Sequence, residues 1–124
     1  MPDEVKRYAE GDLALEASEG AGEVRAVWRG KSADREPGRF LLPVLGDLLE
    51  RARAAGARLV LDFSSLDYMN SSTFTPLVKI LGDARRAGVP ITLEYSLARK
   101  WQALSFSALR TFETPDGRIT VLGR

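Results

Sequence analysis

Apolar residues alternate with polar ones in two early stretches, residues 13–17 and 24–28. This period of two is typical of strands with one buried face. Gly20-Ala21-Gly22 lies between the two stretches and supplies residues that tolerate a tight turn. We therefore predict an antiparallel hairpin, preceded by a polar lead-in over residues 1–12 that is frayed over 1–10.

Apolar residues at helical spacing predict a first helix that begins near Leu41 or Leu42. It is not expected to begin earlier, because Pro43 is tolerated only in the first turn of a helix. Gly56 is its natural C-terminal stop. The preceding segment, residues 30–38, has the composition of a loop.

Two further helices are predicted from the same spacing. The second ends at Gly88, and its expected buried stripe is Phe74, Leu77, Val78, Leu81 and Ala84. The third has Ser96 as its candidate N-cap, and its expected stripe is Leu97, Trp101, Leu104, Ala108, Leu109 and Phe112.

Three more strands lie between and after these helices. Residues 58–63 form a near-continuous apolar run, which is typical of a strand buried on both faces of a parallel sheet. Residues 91–95 alternate again, and residues 119–122 follow a Thr-Pro-Asp-Gly turn. The order β-β-α-β-α-β-α-β predicts a single α/β domain over residues 1–124, with a mixed central sheet and helices packed on it.

Composition excludes several classes of function. The chain of 124 residues has no cysteine and no histidine, so thiolate chemistry, imidazole general bases and the usual zinc ligands are excluded. Lys and Arg number 18 against 17 Asp and Glu, which gives no electrostatic case for nucleic acid. We predict no cofactor, no metal, no nucleic-acid partner and no enzymatic activity.

We expect a cytoplasmic protein. The sequence Met1-Pro2-Asp3-Glu4 is charged and lacks the apolar core of a signal peptide. No run approaches the roughly 20 apolar residues that a membrane span needs, so no membrane insertion is predicted.

A cluster of hydroxyl side chains follows the central strand: Asn70, Ser71, Ser72 and Thr73. All four are good N-cap residues, so capping of the second helix explains one of them in any α/β protein. Four in a row exceed what one cap requires. Pro76 belongs in the first turn of the helix, so the regular helix is expected to begin after the serines and to leave them accessible.

This segment resembles the STAS domain, the fold of bacterial anti-sigma-factor antagonists and of sulfate-transporter tails. The family pattern is an apolar strand that ends in Asp, a short loop, and Asp-Ser-Ser-Gly at a helix start. Here the strand is Leu59-Val60-Leu61-Asp62-Phe63, and Asn70-Ser71-Ser72-Thr73 occupies the motif, with Asn and Thr in place of Asp and Gly. The Arg35-Glu36-Pro37-Gly38 loop and residues 101–106 also look like a bacterial branch of single-domain STAS-like regulators.

The resemblance implies a regulatory module without catalysis that a partner serine kinase phosphorylates at Ser71. Ser72 and then Thr73 are the next candidates for the phosphoacceptor. The implied partners are an anti-sigma factor or serine-kinase-type regulator and a cognate phosphatase, with the protein itself a monomer or weak homodimer. The candidate contact face consists of Asn70, Ser71, Ser72, Thr73, Lys79, Asp83 and Arg86.

Two other functions stay open at this point. The same loop is compatible with a STAS-like domain that senses a small ligand or nucleotide without phosphorylation, which requires a pocket lined mostly by apolar groups. An enzyme is less favoured, because a carboxylate pair such as Asp62 and Asp67 would have to carry the chemistry. Trp28, Trp101 and Phe106 are expected to be core or helix-packing residues, although Phe106 falls off the helical stripe and is the best candidate of the three for a surface contact.

Overall fold

The computed structural model describes residues 4–124. Residues 1–3, on which part of the signal-peptide and lead-in expectations rested, lie outside this range. The strands are β1 Lys6–Glu10, β2 Leu13–Gly20, β3 Glu23–Ser32, β4 Arg58–Asp62, β5 Leu66–Met69, β6 Ile91–Tyr95 and β7 Ile119–Gly123. The α-helices are α1 Gly38–Ala55, α2 Phe74–Ala87 and α3 Lys100–Ser107, with 3-10 turns over Ser71–Thr73 and Ala108–Phe112.

One mixed sheet contains all seven strands in the order β1-β2-β3-β4-β6-β7, and β5 also pairs with β3. The predicted hairpin is confirmed, because β2 and β3 pair antiparallel with Leu15 opposite Trp28. Every later pair is parallel. Parallel neighbours need crossover connections, and α1, α2 and α3 provide them. The α/β fold class with a mixed sheet is therefore as predicted.

Two strands were missed from the sequence. The expected frayed lead-in contains β1, an edge strand that pairs with β2 from Lys6 opposite Ala17 to Glu10 opposite Leu13. Its charged side chains gave no strand pattern in the sequence, because edge strands are commonly protected from further pairing by charge. The connection after the central strand contains β5, which extends the parallel pairing of β3 through Gly30 to Ser32.

The first two helices differ from the prediction in start and orientation. Helix α1 begins at Gly38, so Pro43 lies in its second turn, where the ring leaves one backbone carbonyl without an N–H partner. The buried side of α2 includes Pro76 and Ile80, whereas Val78, predicted in the stripe, is 36% exposed. The predicted stops are correct: Gly56 and Gly88 adopt left-handed φ values of 61° and 71°.

The third helix is the largest correction. It begins at Lys100 after Arg99, not after Ser96, and becomes a 3-10 turn at Ala108. Phe106, which falls off the predicted stripe, is fully buried, and its ring lies 4.7 Å from Phe63 and 5.5 Å from Tyr95. The expected buried residue Leu104 is 76% exposed. Tertiary packing of the aromatic residues thus sets the orientation of this short helix.

The helices cover one face of the sheet. Alternate strand residues point into that core, among them the fully buried Trp28, Leu61 and Leu93. Trp101 packs against the same core but stays half-buried. No helix among residues 4–124 has the length and apolar character that a membrane span requires.

Candidate functional site

The hydroxyl cluster lies where β5 ends and the chain turns towards α2. The backbone N–H of Asn70 donates to the carbonyl of Ser32 at 2.9 Å, which continues the pairing of β5 with β3. A 3-10 turn over Ser71–Thr73 follows, and the regular helix begins at Phe74, as the position of Pro76 predicted. The sheet therefore sets the position of the turn.

Asn70 caps this turn and ties it to a second loop. Its Oδ1 accepts from the backbone N–H of Thr73 at 3.1 Å and from the Thr73 hydroxyl at 2.8 Å. Its Nδ2 donates to the backbone carbonyl of Asp34 at 2.7 Å. The Ser32 hydroxyl lies 2.7 Å from the Thr73 hydroxyl. We call Ser32, Asn70 and Thr73 the latch.

The latch divides the hydroxyl cluster into two pairs. Thr73 is 0% exposed, and its hydroxyl is hydrogen-bonded to Ser32 and Asn70. Thr73 is therefore not an accessible phosphoacceptor. Asn70 is half-buried, and both ends of its amide are used. Ser71 and Ser72 are exposed and take no part in the latch. The two residues that depart from the family pattern are therefore the two that hold the turn.

Ser72 borders an open groove of about 330 Å³ between the starts of α1 and α2. Pro37, Leu42 and Pro76 give the groove an apolar lining, and Leu42 is 39% exposed. Cationic Arg35 and Lys79 also line it, together with Glu36, Gly38 and Thr75. We call this surface the docking groove. Residues 35–38, which sequence analysis placed in a loop, thus contribute four of the nine lining residues.

The predicted contact face along α2 forms one charged ladder. Lys79 Nζ lies 3.2 Å from Asp83, and Arg86 also pairs with Asp83. Lys79 and Arg86 are exposed and Asp83 is half-buried. Val78 adds an exposed apolar side chain to the same helix. The structure therefore brings Ser72 and Lys79 together in the groove and extends the ladder away from it.

Asp62 and Asp67 belong to separate clusters. Asp62 accepts from the Ser64 hydroxyl at 2.6 Å and from Arg25 at 3.2 Å. Asp67 pairs instead with Arg99 at 3.1 Å. Neither arrangement presents two free carboxylates to one substrate, as paired acid and base catalysis requires.

Arg25 is the centre of an ion-pair cluster on the sheet face opposite the helices. It pairs with Glu94 at 2.7 Å, Glu23 at 2.7 Å and Asp62 at 3.2 Å. The hydrogen bond with Glu94, which is 6% exposed, raises the pKa of Arg25 above its ordinary value. Arg124 pairs with the same Glu94 at 3.2 Å. This is a satisfied charge network and not an acid–base site.

Gln102 was not predicted as a site residue, yet it supports the loop that leads into the site. It is 0% exposed, and its Nε2 donates to the carbonyls of Phe63 at 2.6 Å and Leu66 at 3.0 Å. Its Oε1 accepts from the backbone N–H of Ser96 at 2.7 Å. A polar residue among apolar ones on a helix was the sequence signal for this role.

Ser32 also lines a separate cavity of about 280 Å³. Its lining mixes the half-buried ring of Phe40 with the charged side chains of Glu10, Asp12, Lys31 and Asp34. Across residues 4–124 no group of three or more acidic side chains is arranged to hold a metal ion.

Comparisons with known proteins identify the fold. Neither the protein-family models nor the curated protein sequences match this chain. Apo-SiaC from Pseudomonas aeruginosa is similar with a TM-score of 0.64 at 23% identity, covering 100% of this chain and 99% of that one. A second SiaC structure from that organism gives 0.61 at 22% identity and 100% coverage of both chains. The complex of the diguanylate cyclase SiaD with its activator SiaC gives 0.61 at 20% identity, covering 96% of this chain and 99% of that one.

Proposed function

We propose that this protein is a non-catalytic regulatory module that binds a partner protein through the docking groove and the exposed Ser71 and Ser72. The observation that carries the proposal is the latch, since Asn70 and Thr73 fix the turn while the two serines stay exposed. A rigid turn presents its side chains to a partner without an ordering cost at binding.

We further propose that phosphorylation of Ser71 by a serine kinase switches this binding. Transfer from ATP forms an Oγ–P bond at Ser71 and breaks the bond between the γ- and β-phosphates. ADP leaves, and the hydroxyl proton passes to a base of the kinase. The product carries a charge of about −1.5 to −2 next to the groove, which changes the surface that a partner contacts. The latch needs no Ser71 hydroxyl, so the fold is expected to survive the modification.

The similarity to SiaC supports a partner that is itself a protein. SiaC is described as the activator of a diguanylate cyclase, and a nucleotide cyclase is therefore one candidate partner for this chain. The resemblance to STAS antagonists supports another, an anti-sigma factor or kinase-type regulator with a cognate phosphatase. Both fit a cytoplasmic module of one domain that has no catalytic role of its own.

Intact-mass measurement of the protein purified from its source cells tests the switch. The proposal predicts a form about 80 Da heavier, the mass of one HPO₃ group, with the modification mapped to Ser71. A Ser71→Ala variant is expected to lose this form, whereas Ser107→Ala, at an exposed serine on α3, is expected to keep it. Absence of the heavy form under every growth condition, with a partner still bound, would limit the function to docking.

Small-ligand sensing is the second candidate, and one observation favours it. The cavity beside Phe40 includes Ser32, a member of the latch, so a bound ligand would contact the element that fixes the serines. Its volume of about 280 Å³ is at the small end of ligand pockets. Chemical-shift changes confined to Lys31, Asp34 and Phe40 when a nucleotide mixture is added would support it, and unchanged spectra would reject it.

A further inference from the structure

The outward side of α3 is apolar and uncovered. Leu104 is 76% exposed, Leu97 just before the helix is 56% exposed, and Phe112 just after it is 38% exposed. Trp101 is half-buried and Ala108 is exposed. We call these five residues the outer α3 surface. They are largely the stripe that the sequence predicted to be buried.

The opposite side of the same helix is buried against the sheet through Gln102, Phe106 and Leu109. A helix that is apolar on two sides is typical of a position between two packed layers. Within residues 4–124 only the sheet supplies a layer, which leaves the second side of the helix without a neighbour in that part of the chain. Exposed apolar surface of this kind marks an interaction site.

The segment that carries the outer α3 surface is basic. Residues 96–112 contain Arg99, Lys100 and Arg110 and no acidic residue. The segment from residue 96 to the end holds five basic and two acidic residues, against thirteen and fifteen in the first 95. Arg99 is neutralised by Asp67 at 3.1 Å, whereas Lys100 and Arg110 have no ion-pair partner within residues 4–124.

This charge pattern selects among the possible occupants. A second copy would place like charges opposite each other across a two-fold interface, which is unfavourable. Recognition of an anionic membrane typically needs a cluster of about four to eight basic residues, whereas this surface offers Lys100 and Arg110 as its unpaired cations. A protein segment with acidic residues beside apolar ones matches both the charge and the apolar stripe.

The spacing of the stripe indicates that the segment is helical. Trp101, Leu104 and Ala108 are three and four residues apart, the alternation that lets side chains of one helix fit between those of another. Ala108 is the smallest of the three side chains, so a larger partner side chain can pack against it.

We propose that the outer α3 surface binds an amphipathic helix of a partner protein whose apolar stripe is flanked by Asp and Glu. This surface lies on a different helix from the hydroxyl cluster, so it does not depend on the state of Ser71. The two proposals therefore fail separately.

Site-directed photocrosslinking in the source cells tests this inference. A photoreactive phenylalanine analogue replaces Leu104, and the crosslinked segment is sequenced after illumination. The expected product is another protein, crosslinked within a segment that has apolar residues at helical spacing and acidic neighbours. The same analogue at Val5, which is 62% exposed in the chain leading into β1, is the matched control and is expected to give no such product.

Charge reversal supplies the second arm. The double variant Lys100→Glu, Arg110→Glu is expected to lower the crosslink yield at residue 104 about tenfold, which corresponds to about 1.4 kcal/mol. Its unfolding curve should match that of the unmodified protein, because both side chains are on the exposed side. Crosslinks to a second copy, to lipid alone or to a segment without acidic residues would overturn the proposal, as would an unchanged yield in the double variant or no crosslink at all.

Discussion

Asn70 and Thr73 hold each other through two hydrogen bonds to one oxygen. Asn70 Oδ1 accepts from the Thr73 backbone N–H at 3.1 Å and from its hydroxyl at 2.8 Å. The Ser32 hydroxyl in turn lies 2.7 Å from the Thr73 hydroxyl and completes a buried chain. This chain keeps the turn in place while Ser71 and Ser72 remain exposed.

Thr73→Val removes the hydroxyl from the latch while nearly keeping the shape of the side chain. The buried Ser32 hydroxyl would lose its partner, whereas Asn70 Oδ1 would keep the backbone N–H of residue 73. A buried group left unsatisfied typically costs about 1–3 kcal/mol. We expect the free energy of unfolding, measured with urea, to fall by about that amount. Thr73→Ser keeps the hydroxyl and should lose less. Equal stability of the valine and serine variants would show that the hydroxyl chain does not stabilise the turn.

Asn70→Asp introduces the residue that the STAS pattern has at this position and is nevertheless expected to destabilise this protein. The carboxylate can still accept from Thr73, but it cannot donate to the Asp34 carbonyl, which lies 2.7 Å from the present Nδ2. Two oxygens would then face each other, and we expect a loss of about 1–3 kcal/mol in urea unfolding. Asn70→Ser, which keeps an acceptor without the charge, serves as the control. If Asn70→Asp were as stable as the unmodified protein, the assigned role of Nδ2 would be contradicted.

Phe106 and Leu104 test the orientation of α3 directly. Phe106→Ala should destabilise the protein by about 3–5 kcal/mol, because the ring is fully buried beside Phe63 and Tyr95. Leu104→Ala should change the free energy of unfolding by no more than about 0.5 kcal/mol, because its side chain is mostly exposed. If Leu104→Ala destabilised the protein more than Phe106→Ala, the result would favour the helix orientation that the sequence predicted.

Tyr8 and Asp47 predict a pH dependence of stability. The Tyr8 hydroxyl donates to Asp47, and this bond, with a further contribution from Lys6, lowers the pKa of the Asp47 carboxyl below its ordinary value of 3.8. A lowered carboxyl pKa contributes stability above the unfolded-state value, and this contribution is lost as the pH falls through the folded-state value. Tyr8→Phe should therefore destabilise at pH 7 and have a smaller effect at pH 3.

The size of this effect is expected to stay below about 1 kcal/mol, because the Asp47 side chain is 46% exposed. Urea unfolding at the two pH values measures it. Tyr68→Phe is the matched control, since Tyr68 is 48% exposed and lies on β5. If Tyr8→Phe destabilised the protein more at pH 3 than at pH 7, the stabilising role of the Tyr8–Asp47 hydrogen bond would be contradicted.

Periodicity in the sequence predicted the hairpin, the three parallel strands and the helix stops, because each has a local signal in the residues themselves. Strand β1 was missed because its stability comes from pairing with β2, which local pattern cannot reveal. Helix α3 was misoriented because it is apolar on both sides, so spacing alone did not determine which side packs inward. Gln102 marks the inward side of the helix, and its buried amide is satisfied by three hydrogen bonds to the backbone.

The site could be predicted only in part. The sequence identified all four residues of the cluster but ranked them by family position, whereas burial separates Thr73 from the two serines. The groove was not predicted, because Arg35 and Pro37 come from a loop distant in sequence from Ser72. Which residues meet across such a distance depends on the packing of α1 against α2.

Comparative affinity purification tests the central claim, that Ser71 controls partner binding, most directly. Tagged unmodified protein and its Ser71→Ala, Ser71→Asp and Ala54→Asp variants are recovered from the source cells, and bound proteins are quantified by mass spectrometry. Ala54 is exposed near the C-terminal end of α1, so Ala54→Asp adds the same charge away from both proposed surfaces. The account predicts one partner recovered equally with the unmodified protein, Ser71→Ala and Ala54→Asp, and reduced about tenfold or more with Ser71→Asp. Equal recovery with all four proteins, or a loss shared by Ala54→Asp, would contradict it.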